Sequence, residues 1–150
     1  MTRKKSQSKT YTVDSIGGII LHEFCHAYHN KHLPDGYKNQ DIIDCYNKAM
    51  EEGLYDNCNY HACYVGNDFP FGESKEEQSS PYQIKATKHY ACTNALEYFA
   101  ELSVAFLASP EDNLPQEEYN KWYPHNARQL KEHDPRAFEL LQKLWAVERQ

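Results

Sequence analysis

Apolar side chains recur at helical spacing near the start of the chain. Residues three and four positions apart share one face of a helix, so this spacing predicts an amphipathic helix with one buried stripe. Asp14 and Ser15 are typical of a helix start, and the turn-forming residues 33–36 predict its end. On this prediction Cys25 faces away from the core. The predicted stripe consists of Ile16, Ile20, Phe24 and Ala27.

A second helix and a strand-forming region follow. Residues 39–41 are typical of a helix start, and Gly53 is expected at its end because glycine adopts a left-handed conformation without steric cost. The predicted buried side of this helix consists of Ile42, Ile43, Tyr46 and Met50. Short strands are predicted at 54–55, 60–65 and 82–89, with a long exposed loop at 66–81.

Helices are predicted again in the second half of the chain. Residues 94–108 are strongly apolar, and residues 117–133 have a helical pattern with an interruption at Pro124. Asp134 followed by Pro135 predicts the start of a last helix, which runs to about residue 147. Its predicted inward side consists of Phe138, Leu141, Leu144 and Trp145.

These elements predict one mainly α (α+β) domain. It covers residues 13–150, has a small or minimal β-sheet, and is preceded by a polar tail at 1–12. The formal net charge of −6 argues against a general nucleic-acid binder and against docking on an anionic membrane. The apolar run at 16–21 is too short for a signal peptide or a transmembrane segment. Five cysteines leave at least one unpaired, and we expect a monomer.

Four of the eight histidines lie between His22 and His32, and the first two frame the sequence HEFCH at 22–26. This is an HExxH motif. Two histidines four positions apart lie on one helix face, so neutral imidazoles of His22 and His26 can bind one zinc ion. Glu23 can take a proton from a water that the metal activates. The motif therefore predicts Zn²⁺ as cofactor and Glu23 as general base.

Two candidates remain for the third zinc ligand. His32 has the ligand spacing of metzincins, but His29 stands where that pattern needs a glycine for a sharp turn. The alternative is that His29 and His32 are solvated side chains near a helix C-terminus, where the helix dipole favours partly charged histidine. The distant candidate is Glu97, which lies on the apolar helix predicted at 94–108.

Asn94, Glu97 and Glu101 are the polar exceptions on that apolar helix, and their spacing places them on one face. Two carboxylates on a buried helix need a cation or a histidine to offset their desolvation. Glu97 is therefore the preferred third ligand. Glu101, one turn further on, can accept a hydrogen bond from the outer N–H of a ligating histidine. The other interpretation is an amphipathic helix whose glutamates face water.

The two segments together resemble the catalytic core of the anthrax lethal factor-type gluzincins, and the clostridial Pro-Pro endopeptidases are similar. The second segment is YACTNALEYFAE, at 90–101. That family pairs an HExxH helix with a helix of the pattern Tyr-x6-Glu-aromatic-Phe-Ala-Glu. The resemblance implies a zincin-like fold with a second, glutamate-bearing helix. The zinc ligands that it implies are His22, His26 and Glu97.

The resemblance also implies roles for residues around the ligands. Glu23 is the general base, and Tyr90 donates a hydrogen bond to the oxyanion or to the leaving group. Glu101 and Asn94 are expected just outside the ligands. The family usually places a sheet before the HExxH helix, where its edge strand aligns the substrate. Only 21 residues precede His22, and only residues 10–13 could form a strand there, so this sheet is expected to be minimal.

The sequence therefore predicts a zinc-dependent metalloendopeptidase of the gluzincin type that acts on a peptide or protein substrate. One alternative is a catalytically inactive, zinc-stabilised domain for binding or regulation. Another is a helical interaction module that binds no metal.

Overall fold

The computed structural model describes residues 13–61, 83–107 and 120–149. The helices are α1 (Val13–His32), α2 (Gln40–Glu51), α3 (Ala95–Leu107), α4 (Ala127–His133) and α5 (Pro135–Trp145). The strands are β1 (Asp56–His61) and β2 (Gln83–Lys88), and short 3₁₀ turns form at Gly36–Lys38 and Tyr90–Cys92. In this part of the chain the fold is mainly helical with a two-stranded sheet, which confirms the predicted mainly α class.

Helix α3 lies at the centre of the core, because its side chains are apolar nearly all round. Every residue from Tyr98 to Phe106 is buried, and α1, α2, α4 and α5 each contact this helix. The inward side predicted for the last helix is confirmed. Phe138 and Leu141 are buried, and Leu144 and Trp145 are partly buried against the same core.

Helix α1 begins and ends close to the predicted residues, but the prediction of its buried face is wrong. Ile20 is 51% exposed and Phe24 is 66% exposed, and Ala27 is exposed as well. Cys25 and His29 are instead completely buried, on the side where α1 packs against α3. The side chain of Ile16 lies outside the described residues.

The burial of His29 also corrects the expectation that it is solvated. Its ring lies 5.2 Å from that of Tyr37 and 4.6 Å from that of Phe99, measured between centroids. Burial, with the nearby His26, lowers the pKa of His29 to about 4, so its ring is neutral near pH 7. Helix α1 therefore docks through the face that carries Cys25 and His29, and apolar periodicity alone selected the wrong face.

Helix α2 has the predicted ends. The Asn39 side chain accepts a hydrogen bond from the N–H of Ile42 at 3.1 Å, which caps the first turn. Gly53 adopts a φ of 61° and its N–H binds the carbonyl of Met50, which closes the last turn as expected. The buried side of α2 differs from the predicted one. Ile42, Cys45 and Ala49 are buried, whereas Ile43, Tyr46 and Met50 are half-buried.

The two strands pair antiparallel, with Cys58 opposite Ala86. The opposite edge of β1 meets a segment that was predicted as helix. Tyr60 forms an isolated bridge with Trp122, and the N–H of Tyr123 donates to the carbonyl of Asn59 at 3.0 Å. Helix α4 therefore begins only at Ala127, after Pro124, where the Asn126 side chain caps it by accepting from the N–H of Gln129.

Several predictions lie outside the described residues. These are the polar tail at 1–12, the loop at 66–81, the strand residues 62–65 and the helical residues 117–119. The strand predicted at 82–89 appears as β2, whereas residues 54–55 form a turn before β1 and Val13 already belongs to α1. No helix in the described segments is long and apolar enough to cross a membrane.

One buried carboxylate links three parts of the fold. Asp134 Oδ2 accepts hydrogen bonds from the hydroxyls of Tyr55 and Tyr98, both at 2.9 Å. Its Oδ1 accepts from the N–H of Ala137 at 3.1 Å, which caps α5 as predicted, with Pro135 in the first turn. Burial and the Asp134 charge raise the pKa of the Tyr55 hydroxyl, so this group stays protonated and donates.

Asp134→Ala is expected to lower the free energy of unfolding by about 3 kcal/mol, because it removes a helix cap and leaves two buried hydroxyls without their acceptor. Chemical denaturation monitored by circular dichroism measures this change. Asp134→Asn keeps an oxygen for the cap and should lose less. Glu139→Ala, an exposed change on the same helix, is the control and should alter stability little. Equal stability of Asp134→Ala and the control would show that the network does not stabilise the fold.

Candidate metal centre

Three predicted ligand atoms meet where α1 packs against α3. His22 Nε2 lies 2.9 Å from Glu97 Oε2, and His26 Nε2 lies 3.2 Å from the same oxygen. The two Nε2 atoms are 3.0 Å apart. The histidines are one turn apart on α1, and Glu97 lies in the first turn of α3. Within the described residues, no other group of three His, Cys, Asp or Glu ligand atoms lies within 4.8 Å.

This triangle of atoms fits a zinc ion. Ligand atoms about 2.0–2.1 Å from a tetrahedral zinc are about 3.3–3.4 Å apart, close to the three distances observed. Two imidazoles and one carboxylate form a donor set that zinc uses in catalytic sites, with one position left for water or substrate. The three side chains are 12–18% exposed, so the triangle is shielded from bulk solvent but still accessible.

Glu101 orients His22 for this role. Its Oε1 accepts a hydrogen bond from His22 Nδ1 at 3.1 Å, one turn beyond Glu97 on α3. A proton on Nδ1 leaves the lone pair of a neutral imidazole on Nε2, which points at the triangle. Burial disfavours the charged form of His22, but the hydrogen bond and charge of Glu101, with the charge of Glu97, outweigh it and raise the pKa of His22.

Neither Asn94 nor His32 belongs to the triangle of His22, His26 and Glu97 atoms, which is called the ligand triangle below. The Asn94 side chain accepts a hydrogen bond from the N–H of Glu97 at 2.9 Å, so it caps α3 and fixes the backbone of the ligand residue. His32 is exposed, and its ring stacks on that of Tyr28 with centroids 5.4 Å apart. The structure therefore brings Glu97, and not His32, to the two motif histidines.

A cleft of about 250 Å³ opens beside the triangle. Glu23 is exposed and lines this cleft together with His22, so its carboxylate is accessible to water and to a bound molecule. Glu101 also lines the cleft. The remaining walls include Ile19, Tyr60, Lys121 and Trp122.

Tyr90 lies in the same cleft, at the start of the 3₁₀ turn between β2 and α3. Its ring centroid is 6.2 Å from that of His22. Burial and the charges of Glu97 and Glu101 raise the pKa of the Tyr90 hydroxyl, so the phenol stays protonated. A neutral phenol beside the ligand triangle can donate a hydrogen bond to a developing oxyanion.

Sequence reasoning missed the far wall of the cleft. Trp122 lies in a segment predicted as helix, yet its ring packs on that of Tyr60 with centroids 4.4 Å apart. Asn120 shapes this segment by donating a side-chain hydrogen bond to the carbonyl of Pro124 at 2.9 Å. Pro124 was the one local signal against a helix, since proline lacks the N–H that a helix interior needs. No pattern in the sequence indicated that the segment would pair with β1.

Comparisons with known proteins do not place the chain in a family. No family model, no curated protein and no solved structure matches it. A functional conclusion therefore depends on the contacts among His22, His26, Glu97 and Glu101 and on the cleft beside them.

Proposed function

We propose that this protein is a zinc-dependent endopeptidase of the gluzincin type, with a zincin-like core that acts as a monomer on a peptide or protein substrate. The observation that carries the proposal is the triangle formed by His22 Nε2, His26 Nε2 and Glu97 Oε2, with edges of 2.9–3.2 Å. Supporting it are the Glu101 hydrogen bond to His22 and the cleft that exposes Glu23 to solvent.

Two residues of the cleft do the proton and hydrogen-bond chemistry. Bound zinc would supply Lewis-acid polarisation of the scissile carbonyl and a lowered pKa for water. The exposed Glu23 carboxylate takes a proton from the attacking water and delivers it to the leaving amine. Tyr90, protonated and close to His22, donates a hydrogen bond to the oxyanion.

Glu101 and Asn94 act on the ligands rather than on the substrate. Glu101 holds the proton on His22 Nδ1 and so keeps Nε2 available for the metal. Asn94 caps the turn that carries Glu97 and limits movement of its carboxylate. The spacing of His22 and His26 needs no such additional contact, because the helix itself sets it.

The first test is metal analysis of protein purified without chelator, followed by incubation with a diverse peptide library. We expect about one zinc ion per chain and peptide cleavage that 1,10-phenanthroline stops and added zinc restores. Stoichiometric zinc without cleavage would contradict the peptidase and support the zinc-stabilised binding domain. Absence of zinc and of zinc binding would contradict both and support a metal-free interaction module.

A further inference from the structure

The buried His89 lies behind the cleft and does not belong to the ligand triangle. His89 follows β2 and directly precedes the 3₁₀ turn Tyr90–Cys92. It is only 2% exposed, and its backbone N–H donates to the carbonyl of Tyr55 at 3.0 Å. Its side-chain Nδ1 accepts a hydrogen bond from the N–H of Ala91 at 2.9 Å. This imidazole therefore caps the turn that carries Tyr90.

The ring of His89 is fixed from two further sides. The Trp122 ring lies 5.0 Å away at an interplanar angle of 30°, and the Tyr55 ring lies 5.4 Å away nearly perpendicular to it. Trp122 itself forms the far wall of the cleft. The same imidazole thus contacts one wall of the cleft and holds the turn that places Tyr90 in the other.

The Ala91 hydrogen bond also fixes the protonation state of the ring. Since Nδ1 accepts, the proton of the neutral imidazole is on Nε2, which has no partner among the described residues. Burial, together with the neighbouring His133 and His125, lowers the pKa of His89 to about 3. A second proton would convert Nδ1 from acceptor to donor and break the cap, so the neutral form is the one that holds the turn.

We propose that His89 is a positioning residue for Tyr90, and that its Nδ1 acceptor, rather than the bulk of its ring, keeps the Tyr90 phenol beside the ligand triangle. The expected effect on catalysis rests on the proposed peptidase function. The effect of His89 on the position of Tyr90 does not. His89 is buried behind the turn and does not line the cleft. It therefore acts through Tyr90.

Two variants separate the acceptor from the ring. His89→Phe keeps a ring against Trp122 and removes the acceptor, whereas His89→Asn keeps an acceptor at the cap and removes the ring. His89→Phe is expected to lower kcat about tenfold with little change in KM, because Tyr90 is misplaced while the rest of the cleft is intact. His89→Asn should retain most of kcat. In a Tyr90→Phe background, His89→Phe should cause no further loss of kcat.

A readout that needs no activity distinguishes failure of this inference from failure of the proposed function. Protein labelled with ¹³C at the tyrosine ring is examined by NMR, and the signal absent from Tyr90→Phe is assigned to Tyr90. That signal should move in His89→Phe and remain near its native position in His89→Asn, whether or not any peptide is cleaved. Native Tyr90 signals in both variants, or a displaced signal in His89→Asn, would overturn the proposal. If His89→Phe does not fold, His89→Leu takes its place as the variant without an acceptor, matched to His89→Asn in size, and a native Tyr90 signal in His89→Leu would overturn the proposal.

Discussion

Glu23→Gln is expected to lower kcat for peptide hydrolysis about 10²–10⁴-fold, because an amide cannot accept the proton of the attacking water. Zinc content should not change, since Glu23 lines the cleft and does not belong to the ligand triangle. The substitution keeps the size of the side chain and lies at an exposed position, so stability should be nearly native. Single-turnover and steady-state kinetics with one cleaved peptide, beside metal analysis of each preparation, measure the effect.

Glu51→Gln is the matched control for this experiment. Glu51 is an exposed glutamate near the end of α2 whose carboxylate contacts Lys48, away from the cleft, and its loss should leave kcat unchanged. If Glu23→Gln cleaves peptides as fast as Glu51→Gln, the water is activated by another group and the proposed mechanism is wrong.

The second large effect is expected on metal affinity. Glu97→Ala should weaken zinc binding by more than about 100-fold. Loss of a residue that hydrogen-bonds to a ligand typically weakens metal binding by about 10–100-fold, and loss of the ligand itself is more severe. Glu101→Ala removes such a partner, the acceptor at His22 Nδ1, and should fall within that smaller range. Competition with a chromophoric chelator at constant pH measures both affinities.

His32→Ala tests the rival ligand set in the same assay. His32 is exposed and stacks on Tyr28, so its removal should leave zinc affinity unchanged. A larger loss in His32→Ala than in Glu97→Ala would favour the metzincin-like arrangement and contradict the role proposed for Glu97.

Local spacing predicted those parts of the site that depend on a single helix. The four-residue interval between His22 and His26 puts both rings on one face, and the interval between Glu97 and Glu101 does the same for their carboxylates. The pairing of the two helices was suggested by the cost of burying two carboxylates without a cation. Helix starts at Asn39 and Asp134 were also predictable, because capping is a local property of the chain.

What the sequence did not reveal depends on contacts between distant segments. Ile20 and Phe24 have the spacing of a buried stripe, yet they are exposed because α1 docks through Cys25 and His29. Trp122 reaches the cleft by pairing with Tyr60, a contact between residues 62 positions apart that no local pattern specifies. His89 is isolated in the sequence, and only its burial and its hydrogen bond to Ala91 distinguish it from a surface histidine.

The outward direction of the apolar side chains of α1 has a consequence for local unfolding. Just before His22, Ile19 and Ile20 are both more than half exposed, so these two side chains contribute little apolar burial. Next to them, α1 contacts α3 through the polar contacts of His22 with Glu97 and Glu101. We therefore expect the amides of residues 19–22 to open to hydrogen exchange at a smaller free-energy cost than the buried amides of α3. The contacts that place His22 beside Glu97 would then also hold this part of α1 on the core.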